Sequence, residues 1–462
     1  MPNSTASASP RNLATRQPVN VSQVMDGAPF GPTQWLVALW CAALSTLDGF
    51  DNAVMAYVAP VIGPAWGVSG PAFGPVFGFG VAGAMVGSLC AGLLADRFGR
   101  RDLILLSTLV FGSGMLVTAM ATTLSQLCVL RFLTGLGVGG LIPNVIALTA
   151  EFAPQRNRHT TTSVMTLGFA LGAGGGGFVG AALIPRFGWQ AMFVLGGLLP
   201  LLCLPWVHRF LPESVRFLAS RGSNPKEVAK ILNVVVPGSA YSGDEVFIVD
   251  DRAQGAAGVR QLFAEGRGID TALLWFIFFS NMIVMFFLNN WLPTIFRQAG
   301  VPVETALRVS GCVSWGGILG TLVFGPMVER VGVPRVVSLL YLGAAALVFL
   351  IGMVDAKLSA MWVIVLATGA CVVGAQSLIN ALAATQYPTP IRSTGVGWAF
   401  GVGRIGAICG PVVGGVLLAA HISPNRLFAG IAVPALMGSL AMHVLGRRTR
   451  TAAGSNLHDA GP

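Results

Sequence analysis

The chain has 462 residues, of which 54% are hydrophobic and only 10% charged, with 60 glycines. A soluble domain carries about 25% charged residues, so this composition excludes a soluble enzyme or nucleic-acid binder. The net charge of +10 is therefore read as a membrane-topology signal.

The first thirty residues are polar and lack an apolar stretch before a small-residue cleavage site, so no cleavable signal is expected. Residues 1–33 read as a disordered cytosolic tail. Twelve apolar segments follow, near 34–59, 72–95, 103–122, 125–150, 161–185, 189–210, 270–292, 305–328, 334–354, 359–384, 393–419 and 423–446, each long enough to cross a bilayer as a helix. The polar stretch 211–269 divides them into halves at 34–210 and 270–446, and 447–462 forms a second tail. The expected fold is all-α integral membrane, twelve transmembrane helices in two six-helix halves. With both termini on one side, that side holds 21 of the 28 Lys and Arg residues, against four (Arg186, Arg297, Lys357, Arg426) on the other. The positive-inside rule makes it cytosolic.

Span 1 contains "LSTLDGFDNAVMAYVAP", with Asp48 and Asp51 three residues apart in an apolar run. A charge at bilayer depth costs on the order of 3 kcal/mol, so such residues are functional or paired. A rise of 1.5 Å per residue puts Asp48 about 16 Å and Asp51 about 12 Å from the outer end of the span. Span 4 runs the other way and carries Arg131 about 9 Å deep, nearly level with Asp51. An Asp51–Arg131 ion pair is expected, either competing with protonation of the carboxylate or serving only as a static packing pair.

The loop after span 2 reads "GSLCAGLLADRFGRR", where Asp96 is surrounded by Arg97, Arg100 and Arg101, and Gly92 and Gly99 permit close approach and a tight turn. Its counterpart after span 8 is "GPMVERVGVPR": an offset of 233 superposes Asp96 on Glu329, Arg97 on Arg330 and Gly99 on Gly332. At an offset of 234, "PQRNRHTTT" with Gly172 and Gly176 matches "PTPIRSTGV" with Gly406 and Gly410, aligning Arg158 with Arg392. Two nearly equal offsets imply a duplicated six-span unit, the architecture of a secondary transporter whose halves rock about a midplane site. Charged groups at the rim then act as a conformational gate, or merely as positive-inside anchors.

Span 7 ends "MFFLNNWLPTIF", offering Phe286, Phe287, Asn289, Asn290 and Trp291 toward an arene and its hydroxyls; the alternative for each ring, and for Trp291 above all, is lipid contact or an interfacial belt. In span 10, Gln376 and Asn380 share a face as polar candidates, or bond between helices. In span 11, Arg404 lies roughly 16 Å deep, a fixed cation suited to a carboxylate or to an Asp of the other half. Arg392 sits at the inner end of that span and reads as a gate or anchor rather than a direct ligand. The seven cysteines and five histidines have no metal-ligand spacing, and no catalytic triad or phosphate-binding loop is present. No metal, cofactor or nucleic acid is expected.

The "GLLADRFGRR" loop resembles the signature of the major facilitator superfamily, and the resemblance extends over nearly all twelve spans. "LDGFDNAV" resembles the D-G-F/Y-D motif of its aromatic acid:proton symporters, as do "RFLTGLGVGGLIPNVIALTAEFAP", "LPESVRFLA", "NNWLPTIF" and "RSTGVGWAFGVGRIGAICGP". "LGAGGGGFVG" in span 5 is richer in glycine than the family pattern. The resemblance implies functional roles for Asp48, Asp51, Gly92, Asp96, Arg392 and Arg404. It implies proton-coupled uptake of a small aromatic carboxylate across a bacterial cytoplasmic membrane by a functional monomer. An exporter on the same fold and a non-transporting sensor of aromatic acids are the alternatives.

Overall fold

A computed structural model describes residues 18–222, 224–249, 259–388 and 391–459. Spans 1–6 are α2 (Pro32–Trp66), α3 (Gly74–Phe98), α4 (Arg100–Thr118), α5 (Leu124–Phe152), α6 (Arg158–Phe187) and α7 (Gln190–Phe210). Spans 7–12 are α10 (Gly268–Gln298), α11 (Val303–Val331), α12 (Val333–Met353), α13 (Ala360–Gln386), α14 (Arg392–Ala419) and α15 (Pro424–Asp459). Eleven of these are long and apolar enough to cross a membrane. The twelfth, α2, is 35 residues long and carries the two aspartates. It runs past the expected end near residue 59, through Pro60 and Pro64, and stops at Gly67, whose φ of 64° suits a glycine cap.

The duplication is visible atom by atom in the packing. In α6, Gly172 lies where a Cβ would stand 1.8 Å from the Thr46 carbonyl of α2; its repeat mate Gly406 in α14 meets the Phe279 carbonyl of α10 at 2.4 Å, and 46 and 279 differ by the same 233. Gly83 against the Phe132 carbonyl (2.1 Å) repeats as Gly316 against the Leu366 carbonyl (1.9 Å). In a bilayer, where apolar burial between helices yields little, such backbone contact at small residues is what joins α2 to α6, α3 to α5, α10 to α14 and α11 to α13. Gly99 and Gly332, at φ 94° and 88°, make the equivalent tight turns after α3 and α11.

The halves meet along α2–α10, α3–α14 and α6–α11. Those contacts gather at the end of the bundle opposite the central segment. There Gly74 packs on Pro411 and Gly415, and Trp291 sets its ring edge-on to Phe77 at 5.3 Å. Moving along α3 and α14, Gly78 meets Ile408 and Val412, and Arg404 Nη1 donates to the Ala84 carbonyl at 2.9 Å. Past that bond, Gly397 and Gly401 on α14 and Gly92 on α3 have nothing within 4 Å of where a Cβ would sit. The halves are parted at the central-segment end.

The tail is not wholly without structure, as its polar composition led one to expect. Residues 1–17 lie outside the described residues, but Val19–Asn20 (β1) pairs in parallel with Phe247–Ile248 (β2). Val21–Gly27 (α1) buries Val21 and Met25 against the central segment, whose helices α8 (Val215–Arg221) and α9 (Pro225–Val235) bury Leu218, Val228 and Leu232. Asp26 pairs with Arg158 at the start of α6. Together they form a cap on the first half.

Candidate functional site

Between the halves lies a cavity of about 310 Å³, large enough for a single-ring organic molecule. α2 contributes Ser45, Asp48, Asp51, Asn52 and Met55 to its wall; α5 contributes Arg131, and α14 contributes Phe400 and Arg404. Rings and thioethers fill much of the remainder, notably Phe169, Met282, Met285 and Phe286. The site is an apolar chamber with charge on two sides.

Asp51 and Arg131 meet as depth predicted. Nη1 of Arg131 is 2.7 Å from Asp51 Oδ1, and Nη2 donates to Oδ2 at 3.3 Å and to the Asp51 backbone carbonyl at 3.2 Å. Both side chains are buried. The guanidinium packs against Gly80, where a Cβ would make an ordinary contact with Arg131 Nε at 3.7 Å. Asp48, one turn away, is equally buried, yet its Oδ1 has no hydrogen-bond partner among the described residues. Arg404 is half-buried, and among the described residues its side chain hydrogen-bonds the Ala84 carbonyl alone. No carboxylate lies within salt-bridge distance of it there, so the pairing with an Asp of the other half is not made.

Sequence spacing misassigned several span 7 and span 10 residues. Phe287 is fully buried against Phe428 of α15, 6.0 Å between ring centres, and does not line the cavity; its neighbour Phe286 does. Asn289 is also off the cavity wall, whereas Asn290 is on it, with Nδ2 donated to the Phe286 carbonyl at 2.7 Å. Trp291 is not a lipid-facing ring: it is fully buried and donates Nε1 to the Pro411 carbonyl of α14 at 2.9 Å. Gln376 and Asn380 bond to each other at 2.7 Å, and Asn281 donates to Gln376 at 2.6 Å. That chain joins α10 to α13 and leaves both amides outside the cavity, the interhelical alternative.

At the rim, Asp96, Arg97, Glu329 and Arg330 are exposed and form no ion pair among the described residues. Arg392 donates to the Tyr387 carbonyl at 3.4 Å. Arg100 and Arg101 face a cluster that the sequence reading quoted within motifs but did not single out. Arg100 pairs with Glu151 at 2.9 Å, and Glu213 Oε1 accepts the backbone N–H of Arg100 at 2.9 Å, of Arg101 at 3.1 Å and of Ser214 at 2.7 Å. Ser214 Oγ in turn donates to Glu151 at 2.5 Å. Glu213 thus caps α4 from the central segment, satisfying donors that a helix start leaves open. Burial pushes the Glu213 carboxyl above the usual range, against the lowering effect of those N–H donors. The signal was the pair "TAEF" and "LPES", acidic residues placed just beyond apolar spans.

The charges are distributed unequally between the repeats. At the offset of 233, Asp48, Asp51 and Asn52 correspond to Asn281, Val284 and Met285; at 234, Arg131 corresponds to Val365 and Arg404 to Ala170. The first half holds the carboxylates, and the second holds the cation without a carboxylate partner.

The sequence matches the Major Facilitator Superfamily profile over residues 41–314 and again over 274–460. It is 38% identical over 425 residues to the gallate transporter of Pseudomonas putida, covering 92% of this chain and 94% of that protein. To the 4-hydroxybenzoate transporter PcaK of Acinetobacter baylyi it is 35% identical over 449 residues, covering 96% and 98%. The inward-open xylose transporter XylE of E. coli has the same fold, with a TM-score of 0.70 at 15% identity over 88% of this chain and 95% of that one. The chain is a multi-pass membrane protein that belongs to the major facilitator superfamily, in its aromatic acid transporter branch.

Proposed function

We propose that this protein carries a small aromatic carboxylate together with protons into the cell across a bacterial cytoplasmic membrane, by alternating access, as a monomer with both termini in the cytosol. The observation that carries the reading is Arg404: a permanent cation on the wall of an apolar chamber, held by one neutral carbonyl. Guanidinium offers a planar, two-pronged match to a carboxylate. Phe169, Phe286 and Phe400, with the thioethers of Met282 and Met285, suit an arene. The relatives named for gallate and 4-hydroxybenzoate point to the same chemistry.

Asp48 and Asp51 are the proton-coupling groups in this reading, with Arg131 competing against the proton at Asp51. Asp48 takes up a proton as substrate binds; Asp51 gates or releases one. The exposed rim charges Asp96, Arg97, Glu329 and Arg330, with Arg392, then serve the opposite conformation, in which the central-segment end closes. A monoanion moving with one proton is electroneutral and responds only to the pH gradient. A second proton would recruit the membrane potential, about 2.3 kcal/mol per 100 mV.

The test is uptake of labelled benzoate, 4-hydroxybenzoate and gallate into proteoliposomes under an imposed pH gradient, with and without a potential. Accumulation of at least one acid is expected, with potential dependence reporting the proton count. R404Q should weaken apparent affinity by roughly ten- to a hundredfold, the range of a charge-assisted hydrogen bond. No accumulation of any acid, or an indifferent R404Q, overturns the reading.

A further inference from the structure

Buried hydroxyls on membrane helices normally turn back to the carbonyl four residues earlier, since no water is at hand to satisfy them. Thr108, Thr149, Ser310 and Thr368 all do so, at 2.7–2.8 Å. Ser45 does not. Among the described residues its Oγ is buried without a partner on the cavity wall, and one turn along the same helix Asp48 Oδ1 is likewise buried without a partner on the same wall. Residues three apart on a helix are neighbours. Two unsatisfied buried polar atoms on one cavity wall are costly until a ligand or water completes them.

The chemistry of the pair defines its complement. Ser45 Oγ–H is a donor, and Asp48 Oδ1 is an acceptor, whether the carboxyl is ionised or carries its proton on the other oxygen. A phenolic hydroxyl both accepts and donates. An unsubstituted ring offers neither function and would leave both protein atoms unsatisfied.

We infer that Ser45 and Asp48 form a hydroxyl-binding wall that makes this carrier select ring-hydroxylated aromatic acids over unsubstituted ones. The inference rests on the transport reading above, with Arg404 holding the carboxylate and α2 reading the ring. Selection comes from the penalty on the wrong ligand: a site built to hydrogen-bond a hydroxyl discriminates strongly against the analogue that lacks it.

The experiment is calorimetric titration of the purified full-length protein, wild type and S45A, with benzoate, 4-hydroxybenzoate and 3,4-dihydroxybenzoate. Wild type should bind at least one hydroxylated acid roughly tenfold or more tightly than benzoate. In S45A that ratio should fall toward one. Equal wild-type affinities for all three acids overturn the inference while leaving aromatic acid transport standing, and this arm does not depend on any variant folding. An undiminished preference in a folded S45A overturns it as well. Absence of binding by every acid removes the transport reading and this inference together.

Discussion

The Asp51–Arg131 pair permits a quantitative test, because its parts can be removed separately. The guanidinium makes three hydrogen bonds to Asp51, two to the carboxylate and one to the backbone carbonyl. Both side chains are nearly inaccessible, at 2% and 7% exposure. Two unit charges about 4 Å apart attract by about 4 kcal/mol in an effective dielectric of about 20. This agrees with the cost of about 3–5 kcal/mol for removing one partner of a buried pair. R131M strands the carboxylate completely and should cost near the upper end. D51N retains a neutral acceptor and the carbonyl bond at 3.2 Å, so it should cost near the lower end. The double variant D51N/R131M, with neither charge of the pair left, should recover to within about 2 kcal/mol of wild type. Unfolding in mixed micelles, followed by tryptophan fluorescence, measures all four corners of the cycle. A coupling energy below about 0.5 kcal/mol, the size found for exposed pairs, would refute the claim that the pair is buried and mutually dependent.

Two further predictions concern packing and the cytosolic cap. A Cβ on Gly49 would stand 1.9 Å from the Phe169 carbonyl, backbone against backbone, whereas Gly175 has nothing within 4 Å. G49A should therefore destabilise by about 1–3 kcal/mol or prevent folding while G175A is tolerated, as size-exclusion profiles and melting temperatures will report; equal behaviour contradicts the helix contact. Glu213 has its carboxyl raised in the folded state, first by burial, so the stability linked to it is fully present below the unfolded value of about 4.3 and is lost as pH rises through the folded value. Replacing it by glutamine should flatten the pH dependence of the melting temperature in that window; an unchanged slope would show that Glu213 does not contribute to it.

Depth was legible in the sequence because helix rise is nearly constant and neighbouring spans alternate in direction, so Asp51 and Arg131 could be levelled against each other from their distances to the span ends. Rotation was not. Phe286 and Phe287 differ by about 100° around the helix axis, and nothing in "MFFLNNW" says which points inward; the tight α10–α14 seam at Gly406 and Gly410 decides it. Gln376 and Asn380 were correctly assigned to one helix face, but that face meets α10 rather than the cavity. The ordered part of the tail escaped because β1 finds its partner across more than two hundred residues, a pairing that local composition does not encode. The duplication, by contrast, was legible to the residue, since glycine contacts between backbones tolerate no shift in register.

In the proposed alternating-access reading, the unequal division of charge between two otherwise repeated halves bears on how transport would be coupled to movement. Carboxylates on the first half and a cation on the second leave the cavity with opposite signs facing each other across the boundary between the halves. Among the described residues Arg404 reaches across that boundary to a neutral carbonyl at 2.9 Å, at the point beyond which α3 and α14 separate. A carboxylate bound at Arg404 competes for the same guanidinium and so acts directly on the contact between halves. In the same reading, a proton taken up at Asp48 would remove the opposing charge on the other wall and change how strongly the two walls attract. A ligand shifts a two-state equilibrium only by its differential affinity for the two states, and this placement gives both substrate and proton a means to exert one. Had the cation and the carboxylates lain on the same half, both ligands could bind without sensing the boundary, and binding would supply no drive for closure.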